Sequence, residues 1–196
     1  MFSLILLSAG MSSRFGSPKA LAPWGQQPLI AYLLGALVET NLDEIVVVLG
    51  ADADLIEPFL LKHNKIKVVY NKDYKFGQTS SFKAGLAAVS SGVKAVGLLP
   101  VDTPLLKIPT VNVIIDELIQ TDPLILIPAY QGEKGHPPFF SSKLQMEFLG
   151  LPNDVGLNTI SRRYEKEVRL FEVDDEGVLL SFNTPEELQN LRNKLT

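Results

Sequence analysis

Short apolar runs punctuate this chain, and between them apolar residues recur every three or four positions. The runs are Phe2–Leu7, Glu44–Leu49, Ile66–Tyr70, Ala95–Leu99 and Leu124–Ile127. Runs of this length suit strands buried on both faces. Behind Pro28, the residues Ile30, Leu33, Leu34 and Leu37 fall on one helical face. Phe82, Leu86 and Val89 do so within Ser80–Ser91, as do Val111, Ile114, Ile115 and Leu118 further on. Leu55–Leu61 reads as a short helix, Pro138–Phe140 and Val168–Val173 as extended, and Val155–Tyr164 and Glu186–Leu195 as helical. Strands alternating with helices of this length imply right-handed βαβ units and a sheet covered on both faces. The expectation is a single α/β domain over residues 1–196, a Rossmann-like three-layer α/β/α arrangement with a mostly parallel sheet. No linker-like stretch or internal repeat divides it.

Composition narrows the chemistry. At 46% hydrophobic and 20% charged, 196 residues can bury a full core. There is no cysteine, which removes disulfides, thiolate zinc sites and cysteine nucleophiles. Two histidines are too few for a histidine-rich metal cage. A net charge of −4 argues against nucleic acid as the main partner, since that task needs a basic footprint. Phe2–Leu7 lacks a preceding basic residue and is too short for a signal-peptide core. Nothing else reaches membrane-spanning length. The expectation is a soluble cytoplasmic protein without a membrane partner.

In sheets of this kind ligands bind outside the carboxyl ends of the strands, so the residues that follow each strand matter most. After the first strand comes Ser8–Lys19, SAGMSSRFGSPK. Small residues let backbone N–H groups converge on an anion. Serine hydroxyls add donors, while Arg14 and Lys19 add positive charge for a polyphosphate. The spacing matches neither G-x-x-x-x-G-K-[ST] nor G-x-G-x-x-G. On composition alone, such a loop serves equally well as a solvated connection.

Ala9, Gly10, Ser12, Arg14, Gly16, Pro18 and Lys19 stand in an A-G-x-S-x-R-x-G-x-P-K pattern. That pattern resembles the signature of nucleotidyltransferases with a glycosyltransferase-A-like fold, and in particular the MobA-like, molybdenum cofactor cytidylyltransferase-like branch. The resemblance implies a nucleotide-diphospho-sugar transferase-like fold. It also implies a loop that wraps the phosphates of an NTP, with Leu7, Ser8, Ala9, Gly10, Ser12 and Ser13 around the nucleotide. Arg14 and Lys19 would stabilise the α-phosphate and the departing pyrophosphate, acting with Asp102 in catalysis.

The resemblance continues in order along the chain. Asp102, in the D-x-P of Asp102–Pro104, matches the family's metal-binding aspartate; read locally, it simply opens a turn. Thr184, Pro185 and Glu187 form a capping-box helix start, and Asn183 before them matches a second metal ligand. Ser181 stands where many relatives carry a further Asp or Asn, which leaves the full Mg²⁺ shell open. Gly77–Ser81 resembles a segment that places Ser80 and Ser81 near base and ribose; locally these serines read as a helix N-cap. His136 in Gly135–Pro137 matches the acceptor side. His63 reads as a surface residue, and Trp24, Phe139 and Phe140 as packing or pocket walls.

Ala9 and Pro18 stand where guanylyltransferases of the family carry glycine and aspartate, which favours CTP. The implied reaction is CMP transfer to a small phosphorylated acceptor of molybdopterin type, with a molybdoenzyme as a possible recipient of the product. Alternatives are a sugar-1-phosphate or isoprenoid-precursor nucleotidyltransferase. A non-catalytic nucleotide-binding or cofactor-delivery protein is the alternative of another class.

Overall fold

The computed structural model describes residues 1–194. In chain order the elements are β1 (Phe2–Ser8), β2 (Pro23–Trp24), β3 (Gln27–Pro28), α1 (Leu29–Val38), β4 (Glu44–Leu49) and α2 (Ala53–Ile56). Then come β5 (Ile66–Tyr70), α3 (Gln78–Ala88), β6 (Ala95–Pro100), α4 (Ile108–Thr121), β7 (Ile125–Tyr130) and β8 (Glu133–Lys134). The chain continues through β9 (Phe139–Ser141), α5 (Gln145–Gly150), α6 (Asn158–Arg163), β10 (Val168–Glu172) and α7 (Pro185–Asn193).

The main sheet runs β10-β7-β9-β6-β1-β4-β5, with β8 paired to β7. β1, β4, β5 and β6 are parallel neighbours, and β10 is parallel to β7. β9 runs antiparallel against both β6 and β7. Strand patterning had marked 138–140 as extended, but three residues carry no directional signal. Insertion between two parallel neighbours is decided by the tertiary fold.

Alternate side chains of each strand feed two cores, as the two-residue period of a strand requires. Leu4, Leu6, Ile45, Val47 and Leu49 pack with α1, α4 and α7. Ile5, Leu7, Val46 and Val48 pack on the other face with α3, α5 and α6. The three-layer α/β/α arrangement expected from the alternation is therefore the one observed. In the second core Phe82, Phe140 and Phe148 form an edge-to-face trio with centroids 4.7–6.0 Å apart. Phe139, one residue earlier, points to the first core, where a Cβ on Gly97 would lie 2.7 Å from its ring. Gly85 has the same role in α3: a Cβ there would stand 2.6 Å from Ile5 and 2.9 Å from Val48. Close approach of α3 to β1 and β4 sets where its first turn meets the strand ends.

Local chemistry explains several boundary differences. The 55–61 segment is one turn of α2 followed by a 3-10 turn over Glu57–Phe59. Pro58 lacks the N–H that would continue an α-helix. α3 starts at Gln78 with Gly77 as its N-cap at φ +92°, so Ser80 and Ser81 lie inside its first turn rather than capping it. α6 is shorter than the 155–164 segment. Trp24 packs on Tyr32 in the small β2–β3 hairpin, which periodicity did not reveal. α7 has the full capping box at Thr184 and Glu187; the 186–195 expectation extends to Leu195, outside the described residues. Among the described residues no helix is long and apolar enough to cross a membrane.

Candidate active site

β1 and β6 are adjacent and in register at Leu7 and Pro100. The loop after β1 and the turn after β6 therefore leave the sheet side by side. The segment before α7, far away in sequence, joins them: the Phe182 N–H donates to the Asp102 carbonyl at 3.2 Å. Three distant pieces of chain thus meet at the carboxyl edge.

Lys19 sits at the junction. Its Nζ donates to Asp102 Oδ2 at 2.5 Å, to the Phe182 carbonyl at 2.7 Å and to Asn183 Oδ1 at 3.1 Å. The ammonium also lies 5.4 Å from the centroid of the Phe182 ring. Arg14 Nη2 donates to the same Asn183 Oδ1 at 2.9 Å. Asn183 is held from behind, since its N–H donates to Glu187, whose carboxylate also closes the α7 capping box. The helix start and the candidate ligand are therefore one structural device. Capping explains why the segment folds, and the amide carbonyl is left to face the cations.

The loop between is ordered by its own small residues. Ser12 adopts φ +49°, its carbonyl accepts from Phe15 and Gly16, and its Oγ accepts from the Lys19 N–H at 3.2 Å. Phe15 packs against Phe182 with centroids 5.3 Å apart. Together these contacts bring Arg14 and Lys19 to one side of the turn.

A cavity of about 270 Å³ lies against this edge. Leu7, Ser8, Ala9, Gly10, Ser12 and Ser13 line it with Arg14, Lys19, Asp102 and Asn183. Ser81 lines it too, whereas Ser80 does not. Ser80 Oγ donates to the carbonyls of Asp73 and Gly77, and Asn71 Nδ2 donates to both serines at 3.0 Å. Asn71, Tyr74 and Gln78 were missed in the sequence. Asn71 is buried and organises the turn, while Tyr74 and Gln78 are cavity wall. Gln78 stands inside Gly77–Ser81, and Asn71 and Tyr74 had only their proximity to it as a signal. Ser8 Oγ and Thr103 Oγ1 are buried hydroxyls without a hydrogen-bond partner among the described residues.

His136 lines a second, larger cavity of about 600 Å³. Leu98, Ile127, Phe140 and Leu157 give it apolar walls, and Lys134 and Arg162 supply positive charge. Gln78 lines both cavities, so they adjoin. Burial lowers the His136 pKa from its ordinary value, against the opposing pull of Asp102. The imidazole is therefore held toward its neutral form. His63 is exposed, its Nδ1 accepting from the Lys65 N–H.

A glycine-containing loop with two cations, facing a carboxylate and an amide at the carboxyl edge of a mostly parallel sheet, defines a phosphate-handling α/β protein. Comparison with known proteins refines the class. The MobA-like NTP transferase domain matches residues 4–168. The chain is 25% identical over 202 residues to the molybdenum cofactor cytidylyltransferase of Escherichia coli (strain K12), covering 98% of this chain and 96% of that one. It is 28% identical over 203 residues to nicotine blue oxidoreductase of Paenarthrobacter nicotinovorans, covering 95% and 94%. A Mycobacterium tuberculosis H37Rv protein solved in complex with manganese superposes with a TM-score of 0.81 at 24% identity, covering 97% of each chain. The chain belongs to the MobA-like NTP transferase family.

Proposed function

We propose that this protein transfers CMP from CTP to a small phosphorylated acceptor of molybdopterin type, releasing pyrophosphate, with Mg²⁺ at Asp102 and Asn183. The observation that carries this reading is the convergence of Asp102 Oδ2 and Asn183 Oδ1 on one cation, the Lys19 ammonium. An ammonium held by both oxygens supports reading them as a cation-binding pair. Magnesium takes a few protein oxygens and shares its other positions with phosphates and water. Among the described residues there is no group of three or more His, Cys, Asp or Glu suited to a metal, so this reading needs phosphate oxygens and water for the remaining positions. The M. tuberculosis relative was solved with manganese, a cation of similar ligand preference.

Bound there, the metal would compensate negative charge on the phosphate oxygens. The chain's own residues do the rest. In this reading Arg14 and Lys19 neutralise the α-phosphate and pyrophosphate, and the small residues Ser8, Ala9, Gly10, Ser12 and Ser13 wrap the phosphate chain. Ser81 and Gln78 wall the nucleoside end. The second cavity receives the acceptor, its apolar walls taking a heterocycle and Lys134 and Arg162 its anionic group. A phosphate nucleophile is already ionised at neutral pH, so positioning and charge compensation suffice. His136 then serves as a substrate contact in that cavity. CTP is favoured by the family resemblance of Ala9 and Pro18; delivery of the product to a molybdoenzyme belongs to the same reading.

The oxidoreductase relative is named for a different reaction class, so family membership alone does not carry the activity. Retention of Arg14, Lys19, Asp102 and Asn183 on one cavity favours transfer over a non-catalytic binding role. Thermal stabilisation by each of the four NTPs, with and without Mg²⁺, tests this. The expected result is a shift largest with Mg·CTP. No shift with any NTP, in a folded sample, would contradict the proposal.

A further inference from the structure

Asp102 Oδ2 and Asn183 Oδ1 both carry protein cations. An amide oxygen has two lone pairs, and Asn183 Oδ1 receives two donors, Lys19 Nζ at 3.1 Å and Arg14 Nη2 at 2.9 Å. Asp102 Oδ2 receives Lys19 at 2.5 Å, and the Asp102 and Lys19 side chains are largely buried, at 21% and 13% exposure. Asn183 Oδ1 has no lone pair left for a metal while both donors stay, and at Asp102 Oδ2 a divalent metal would meet the ammonium on the same oxygen. Lys19 and Arg14 are also the two cations placed to meet a polyphosphate in the adjoining cavity.

We infer that Lys19 is the resident cation of the Asp102–Asn183 site, and that divalent metal and nucleotide enter together. The polyphosphate draws Lys19 and Arg14 away, which frees both oxygens for the metal that arrives with it. Charge is then conserved locally, because each carboxylate or amide oxygen exchanges one cationic partner for another as the anion arrives. The protein alone therefore binds the metal weakly, and Lys19 guards the site against a metal that comes without substrate. This inference rests on the proposed metal role of Asp102 and Asn183.

Mn²⁺ binding to the full chain without nucleotide, followed by electron paramagnetic resonance of the free ion, provides the test. Lys19→Met should bind Mn²⁺ at least roughly tenfold more tightly than the unaltered protein, the worth of one charge-assisted hydrogen bond released. Arg14→Gln removes the same unit of charge but leaves Lys19 on both oxygens, so its gain should be no more than about twofold, below the worth of an average hydrogen bond. Lys19→Met/Asp102→Asn should lose the gain. Melting curves establish that each variant is folded, and Arg14→Gln, on a more exposed residue, keeps the comparison available if Lys19→Met folds poorly: a tenfold gain in Arg14→Gln alone contradicts the inference.

Equal gains in the two single variants would reduce the effect to loss of a positive charge and overturn the inference. So would no gain in folded Lys19→Met, or a gain that survives Asp102→Asn. The NTP titration described above separates this from failure of the transferase reading. If Mg·CTP stabilises the protein while Lys19→Met shows no gain, the guarding role alone falls. If no NTP binds, the transferase reading falls whatever Mn²⁺ does.

Discussion

The sheet carries a lysine–carboxylate pair at each end, and the two are built differently. At the amino end Glu44, the first residue of β4, is buried beside Ser3 of β1 and meets Lys67 at 2.6 Å. Its carboxylate also accepts from Ser3 Oγ, the Ser90 N–H and Ser90 Oγ, at 2.6, 3.1 and 2.7 Å. Three of the donors come from Ser3 and Ser90, which the fold fixes, and the fourth from the half-exposed Lys67 side chain. At the carboxyl end Asp102 and Asn183 are likewise occupied, but by the long side chains of Lys19 and Arg14 beside an open cavity. In the proposed scheme the second site exchanges its cations for metal and nucleotide from the cavity beside it, whereas the first, at the opposite end of the sheet and held by Ser3 and Ser90, ties chain segments together.

The largest expected effects lie at the carboxyl end. Asp102→Ala should abolish metal-dependent turnover. Lys19→Ala should lower kcat by about 10²–10³, the usual cost of one donor to developing charge. Steady-state rates in folded variants check both, and a change under about fivefold would remove Lys19 from the reaction.

Glu44 should show the opposite profile. Burial raises its pKa, but Lys67 and the Ser3 and Ser90 hydrogen bonds outweigh burial and lower it from 4.5 to about 2. A carboxyl depressed in the folded state stabilises above its unfolded pKa, and that stability drains away as pH falls through the folded value. The Glu44 contribution, about 3 kcal/mol, is thus complete above about pH 4.5 and lost toward pH 2. Glu44→Gln should lower stability at pH 7 by about 1–3 kcal/mol, with NTP affinity unchanged. Denaturant melts across that window should be flatter with pH in the variant. Equal acid sensitivity of the two proteins would show that another group dominates.

Ser8→Ala is the smallest perturbation. Removing a buried hydroxyl that lacks a partner should leave the melting temperature unchanged or slightly raised. A drop of several degrees would mean that the hydroxyl is engaged by groups that the static contacts do not show.

The same contrast explains what could be read from the sequence. The parallel strands and both core faces were legible because burial on two sides leaves unbroken apolar runs such as Ile45–Leu49. Arg14, Lys19, Asp102 and Asn183 stood out through the ordered family resemblance; read locally, the loop serves equally well as a solvated connection and Asp102 as the start of a turn. Asn71 was not, because its importance lies in two hydrogen bonds to residues nine and ten positions on. Nor was the second cavity, whose walls come from β6, β7, β9, β10 and α6. The amino-end cluster was equally hidden: register brings Ser3 to Glu44, but Lys67 comes from β5 and Ser90 from the segment after α3, and no local pattern links the four.

The most direct measurement is pyrophosphate release from Mg·CTP with and without a pterin-phosphate acceptor, using the unaltered protein and Lys19→Ala. The account predicts release that requires the acceptor, is faster with CTP than with GTP, and falls by about two to three orders of magnitude in the variant. Nucleotide binding with no acceptor-dependent pyrophosphate, under conditions where Mg²⁺ and CTP both bind, would contradict it.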